Sequence, residues 1–260
     1  MLGGLTTGDV TTGRVVAIDP SSWTAVDDGA LRQPVHDASG ASLRGHALVF
    51  GGGSSTEVAA VQSWTDGAAT ITGRLPSPRS DSSSVTIRGT AYVVGGFDGV
   101  RMSRAVVATR DGQRFRKVAR LELGVRYAAV AAYVGSIYVL GGQLATSEGT
   151  SGTAQSRLVQ RIDPQTGRTQ VVGKLPWGLG HAMAFSLGGR LYLAGGRRGT
   201  TAVSRIWQVD PRTARLTRAG RLPRPISDSA VVPVGQSVAL IGGETTGPFA
   251  PQRSIVAIRF

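Results

Sequence analysis

Six times along this 260-residue chain a short apolar run ends in a pair of glycines: Gly3-Gly4, Gly51-Gly52, Gly95-Gly96, Gly141-Gly142, Gly195-Gly196 and Gly242-Gly243. Successive pairs lie 48, 44, 46, 54 and 47 residues apart. A recurrence in this range marks a repeat architecture, in which units too small to bury their own apolar faces stack on one another and share a core. It argues for one domain across all 260 residues rather than two small ones.

Each complete unit holds four strand-like segments, A to D. In the third unit A is Ser84–Ile87, B is Thr90–Val94, C is Ala105–Thr109 and D runs from Phe115 to Leu121. The fourth repeats this with Ala128–Tyr133, Ile137–Leu140, Leu158–Ile162 and Thr169–Val172. The fifth does so with Ala182–Ser186, Leu191–Ala194, Ile206–Val209 and Leu216–Ala219. These runs are short, rich in Val, Ala, Tyr and Ile, and bounded by Gly, Asp and Pro, which is the signature of strands and hairpins. No window sustains a helical period. A and B are apolar at nearly every position and are expected to be buried on both faces. C and D carry more Arg, Thr and Gln and are expected to lie outside.

A four-stranded unit of about 50 residues with a diglycine closing its second strand resembles the kelch repeat. The Asp-Pro turns Asp19-Pro20, Asp163-Pro164 and Asp210-Pro211 fit its C–D connection, while the Trp usual after that Asp is replaced by Thr169 and Leu216. The resemblance covers essentially the whole chain and implies an all-β propeller around a central channel. The expected units are 1–33 (partial), 34–78, 79–124, 125–178, 179–225 and 226–260 (partial). The first unit starts at the tail of B and the last stops after C. The expectation is therefore six blades with the first and last incomplete, in a chain shortened at its N-terminus. The alternative is five blades with residues 1–33 packed on the edge. Upstream residues would supply the missing strands and an export signal.

Composition removes several activities. There is no cysteine, hence no disulfide, thiolate nucleophile or thiolate metal site. That absence also excludes the Cys–Tyr copper site of galactose-oxidase-like propellers. No P-loop, dinucleotide fingerprint or HExxH is present. No cofactor is expected. No apolar run is long enough to span a bilayer, and the first residues carry no signal-peptide pattern. The net charge is +13, with 27 of the 29 basic residues arginine and no asparagine at all. This usage points to a GC-rich bacterial genome, and the expected location is exported or envelope-associated. The basic surface favours anionic partners. The arginines are spread along the chain rather than gathered in a stripe with aromatic platforms, so specific nucleic-acid binding is not expected.

Strand order places the B–C and D–A loops on one face. The residue fourteen before each diglycine opens strand A there: Asp37, Asp81, Tyr127, His181 and Asp228. The slot before it holds His36, Ser80, Arg126, Gly180 and Ser227. The slot after the diglycine holds Leu5, Gly53, Phe97, Gln143, Arg197 and Glu244. Together they predict a polar ring of mixed charge around a channel mouth. Kelch proteins that bind peptides use Arg and Ser in these slots, so the resemblance implicates Ser80 and Arg126. With Tyr127, His181, Arg197 and Glu244 they form the candidate ligand-binding set. Asp37, Asp81 and Asp228 open their strands in an Asx-like pattern that can serve the local turn, and they are also candidate ligands for a cation. His36, His46 and His181 do not by themselves make a triad. The leading reading is a non-enzymatic propeller that presents this face to a protein, peptide or anionic glycan. The alternative is a carbohydrate-modifying enzyme of the sialic-acid mutarotase type, which would place acid and base groups in the same mouth.

Overall fold

A computed structural model of the chain describes residues 1–145, 154–245 and 251–260. The described residues are all-β and form six blades around an axis. Blade 1 is β1 (Leu2–Thr6), β2 (Val10–Ile18) and β3 (Ala25–Ala30). Blade 2 is β4 (Ser39–Leu43), β5 (His46–Phe50), β6 (Ala60–Thr65) and β7 (Ala68–Arg74). Blade 3 is β8 (Ser83–Ile87), β9 (Thr90–Val94), β10 (Ala105–Thr109) and β11 (Arg116–Arg120). Blade 4 is β12 (Ala129–Tyr133), β13 (Ser136–Leu140), β14 (Leu158–Ile162) and β15 (Thr169–Lys174). Blade 5 is β16 (Met183–Leu187), β17 (Arg190–Ala194), β20 (Arg205–Val209) and β21 (Leu216–Arg221), with a small B–C hairpin of β18 (Arg197–Arg198) and β19 (Thr201–Ala202). Blade 6 is β22 (Ala230–Val234), β23 (Ser237–Ile241) and β24 (Ile255–Ile258). Every pairing is antiparallel. Residues 1–33 thus form a blade of their own, and the five-bladed alternative is set aside.

The glycine pairs have a specific task. The second glycine of each of the first five pairs donates its N–H across to the next blade's D–A loop: Gly4 to Val35, Gly52 to Arg79, Gly96 to Val125, Gly142 to Leu179 and Gly196 to Ile226, each at 2.8 Å. That same carbonyl oxygen occupies the space where a side chain on the first glycine would begin. A Cβ on Gly141 would stand 2.1 Å from the Leu179 oxygen. Both glycines also have positive φ. Only glycine meets both demands, which is why the pair recurs.

The core is five layers between neighbouring blades rather than one central mass. Phe50, Val61, Val93 and Val107 fill the layer between blades 2 and 3. Ile137, Val139, Leu121 and Val106 fill the next, and Leu140, Val159, Leu191 and Leu193 the one after. Strand B is buried as expected. Strand A is less so: β8 and β22 are mostly half-exposed or exposed. The expectation of burial on both faces fails there because strand A has a neighbour on one side only, and its other edge faces the channel.

Candidate functional site

The five residues that open strand A all take a left-handed backbone: Asp37 (φ 50°), Asp81 (56°), Tyr127 (49°), His181 (58°) and Asp228 (58°). Asp tolerates this region, whereas a Tyr there is strained. What holds them is a chain of backbone hydrogen bonds around the hub. Asp81 N–H donates to Asp37 O at 2.8 Å, Tyr127 to Asp81 at 3.0 Å, His181 to Tyr127 at 2.9 Å and Asp228 to His181 at 3.0 Å. The flanking slots are joined as well. His36 bridges Gly53, Ser80 bridges Phe97, Arg126 bridges Gln143, Gly180 bridges Arg197 and Ser227 bridges Glu244. The ring read from the spacing therefore exists, held by its own backbone.

The side chains interlock. The Tyr127 hydroxyl donates to Asp37 Oδ2 at 3.1 Å, and its ring stacks on His181 with centroids 4.0 Å apart. His181 Nδ1 lies 2.7 Å from Asp228 Oδ1, and its Nε2 lies 2.9 Å from the Gln143 amide nitrogen. Gln143 therefore donates to Nε2, which assigns the ring proton to Nδ1, facing Asp228. Arg126 pairs with Asp81 at 3.3 Å and donates through Nε to Gln143 Oε1 at 3.2 Å. Arg197 pairs with Glu244 and donates through Nε to Ser227 Oγ at 3.0 Å.

These residues surround a cavity of about 360 Å³ that runs down the channel, lined by Asp37, Asp81, Tyr127, His181, Asp228 and Glu244 among others. A second hollow, about 260 Å³, opens beside Arg126 over Ser80, Phe97 and Glu57. Enclosure in the hub, together with Asp81 and Asp228, pushes the Asp37 carboxyl up to about 7. Burial also raises Asp81, where Tyr127 and Arg126 pull the other way. The Tyr127 phenol is pushed up by burial and by the same carboxylates, and burial raises Glu244 against the pull of Arg197. The site thus pairs a carboxyl raised toward neutrality at Asp37 with an imidazole oriented by Asp228, and two guanidinium groups held by acceptors.

Five of the six candidate ligand residues, Ser80, Arg126, Tyr127, His181 and Glu244, line these two hollows, and Arg197 joins them through its pairing with Glu244. Ser80 is buried and bonds to Asp81, so its hydroxyl supports a carboxylate. Asp37, Asp81 and Asp228 share the hub, yet among the described residues no three His, Asp or Glu side chains gather closely enough to hold a metal ion. His46 is remote from the hub, bonded to Thr65 on blade 2. The role of Gln143, bridging Arg126 and His181, escaped the sequence. Its slot was legible, but amide bridging between blades depends on side-chain direction.

No family model matches the chain, and no curated protein matches it. Among solved structures it is similar to that titled "Structure of YjhT", with a TM-score of 0.76 over 99% of this chain and 97% of that one, at 16% identity. At that identity the likeness shows a shared six-bladed fold and nothing finer. Among the described residues no helix is long and apolar enough to cross a membrane.

Proposed function

We propose that the chain is a binding propeller whose channel mouth takes an anionic glycan. The observation that carries this reading is the hub ring: five left-handed, non-glycine residues turn Asp, Asp, Tyr, His and Asp inward around a cavity of about 360 Å³. The strained backbone of Tyr127 persists because the hub bonds on either side enforce it. A lining of hydroxyl, carboxyl, imidazole and guanidinium groups suits a ligand rich in hydroxyls. The cavity volume is within the range of small-molecule sites. Arg126 and Arg197 supply forked donors for a carboxylate. Asp81 and Glu244 already pair with these arginines, so a ligand carboxylate shares each guanidinium through its remaining N–H groups, while the rise of Asp37 to about 7 lessens the negative charge of the hub. The overall charge of +13 favours the approach of an anion.

Calorimetric titration with digalacturonate tests the reading. The parent chain binds, and Arg126→Gln and Arg197→Gln each weaken binding at least about tenfold through loss of a charge-assisted hydrogen bond, in variants that keep the strand signature of the fold by circular dichroism at the titration temperature. Equal binding by both variants, or none by the parent, overturns it.

One observation favours catalysis at the same place. A carboxyl titrating near 7 faces the hub that also holds the His181–Asp228 pair, and groups poised near neutrality are what proton transfer requires. On this second reading the chain is a carbohydrate-modifying enzyme of the sialic-acid mutarotase type, taking the proton of an acidic sugar's anomeric hydroxyl and giving one to the ring oxygen as the ring C–O bond opens, and reversing both as the ring recloses on the other face. Anomer equilibration followed by NMR distinguishes the two: acceleration by the parent and its loss in Asp37→Asn support catalysis, and an unchanged rate in the parent removes it.

A further inference from the structure

Blade 5 breaks the repeat pattern at one corner. In blades 2 and 4 a buried glutamine on strand C clasps the D–A loop that enters the blade. Gln62 bonds both the N–H and the carbonyl of Gln33, each at 2.9 Å, and Gln160 accepts from Glu122 N–H at 2.8 Å and Leu123 N–H at 3.3 Å. By its register against strand B, Trp207 stands in the glutamine slot of blade 5, and Trp177, eighteen residues before the diglycine, stands in the slot of Gln33 and Leu123. The two indoles meet at 5.7 Å and 55°. The slot of Ala60, Ala105 and Leu158 becomes Arg205, directly across from Arg221 on the outer strand. The slot of Ile71 and Val171, which holds Lys117 in blade 3, becomes Arg218, across from Trp207. Arg198 lies over Trp177 at 4.5 Å. The hairpin carrying Arg198 is fixed to blade 4 by paired hydrogen bonds between Gly199 and Gln155.

None of Arg198, Arg205, Arg218 or Arg221 takes part in an ion pair among the described residues. Arg218 and Arg221 are close enough to lower the pKa of Arg205. Protection of an edge strand accounts for basic residues on the outer strand, and the last residue of that strand is basic in every complete blade: Arg74, Arg120, Lys174 and Arg221. It does not account for Arg205 on the inner strand C, nor for two half-buried indoles beside it. The strip is continuous with the mouth, since Arg197 of the ring adjoins Arg198 in the chain.

We propose, building on the glycan reading of the mouth, that this strip is an outer subsite. The ligand is a chain of uronic-acid residues whose end enters the channel and whose body runs outward along the boundary of blades 4 and 5. Guanidinium groups spaced by cross-strand pairing meet successive carboxylates. The indoles offer apolar edges to the sugar faces. One face of Trp177 is capped by Arg198 and the two rings are inclined, so the parallel open platforms that single-stranded nucleic acid stacks on are not offered.

Oligogalacturonates from dimer to octamer, titrated at fixed ionic strength, test this with the double variant Arg205→Ser/Arg218→Ser and the blade 3 control Lys117→Ser/Arg120→Ser. The parent gains about tenfold in affinity from dimer to octamer, the increment of one or two charge-assisted contacts. The blade 5 variant loses that gain and keeps the dimer's affinity, and the control keeps both. A gain with length that the blade 5 variant retains, or equal losses in the control, overturns the outer subsite and leaves the mouth reading standing. Tighter binding of an oligothymidylate of equal charge to the same arginines overturns it in favour of nucleic acid. Binding of neither dimer nor octamer removes both proposals.

Discussion

Arg79 is the residue least at ease in this fold. It occupies the slot that Val35, Val125, Leu179 and Ile226 fill in the other blades, and it is 1% exposed. One guanidinium nitrogen reaches Ala105 O at 3.3 Å, Nε has no partner, and burial lowers its pKa. A buried cation with incomplete bonding costs more than a hydrophobic side chain of similar reach. Arg79→Leu is therefore expected to raise stability by about 1–3 kcal/mol in urea unfolding; a loss of stability would mean that the guanidinium does more than fill space. Asp37 gives a pH signature. Its folded carboxyl sits near 7 against an ordinary 3.8. Its contribution to stability is complete below about pH 4 and is lost as pH rises through about 7. Asp37→Asn should flatten the fall in melting temperature across that window, a change of up to about 4 kcal/mol. An unaltered slope would place the titration elsewhere.

At the level of elements, the diglycine joins blade to blade, and it was the most legible part of the chain. Its spacing, the strand pattern and the hub slots could all be counted from it, because each glycine answers a backbone requirement that no other residue meets. Gly141→Ala should cost at least about 2–3 kcal/mol, since it sets a methyl group against the Leu179 oxygen in a left-handed conformation. Alanine at Gly45 or Gly135, which have positive φ but no atom within 4 Å of an added Cβ, should cost less. Comparable losses at all three sites, measured by chemical denaturation, would refute the clasp. Other features were not legible. That strand A would be half-exposed depends on the channel being open. That Ser80 would serve Asp81 and Gln143 would join Arg126 to His181 depends on side-chain directions, which spacing does not encode.

For the whole molecule, packing is graded around the axis. Buried clusters fill the boundaries from blade 1 through blade 6 in sequence. Among the described residues none spans blades 6 and 1, where Met1 approaches Gly242. Cooperative openings follow such differences in contact. Amide hydrogen exchange should be slowest in β9, β13 and β17 and fastest in the three-stranded blades 1 and 6; uniform protection around the circle would contradict this. Sequence alone left five and six blades both open, because a partial unit at the start of a chain reads the same whether it stands as a blade or lies along an edge.

The four amide-to-carbonyl links tie Asp37, Asp81, Tyr127, His181 and Asp228 into one backbone collar. A guest that pushes any one of these residues outward must stretch a link to its neighbour, so the collar yields as a unit and resists a local dent.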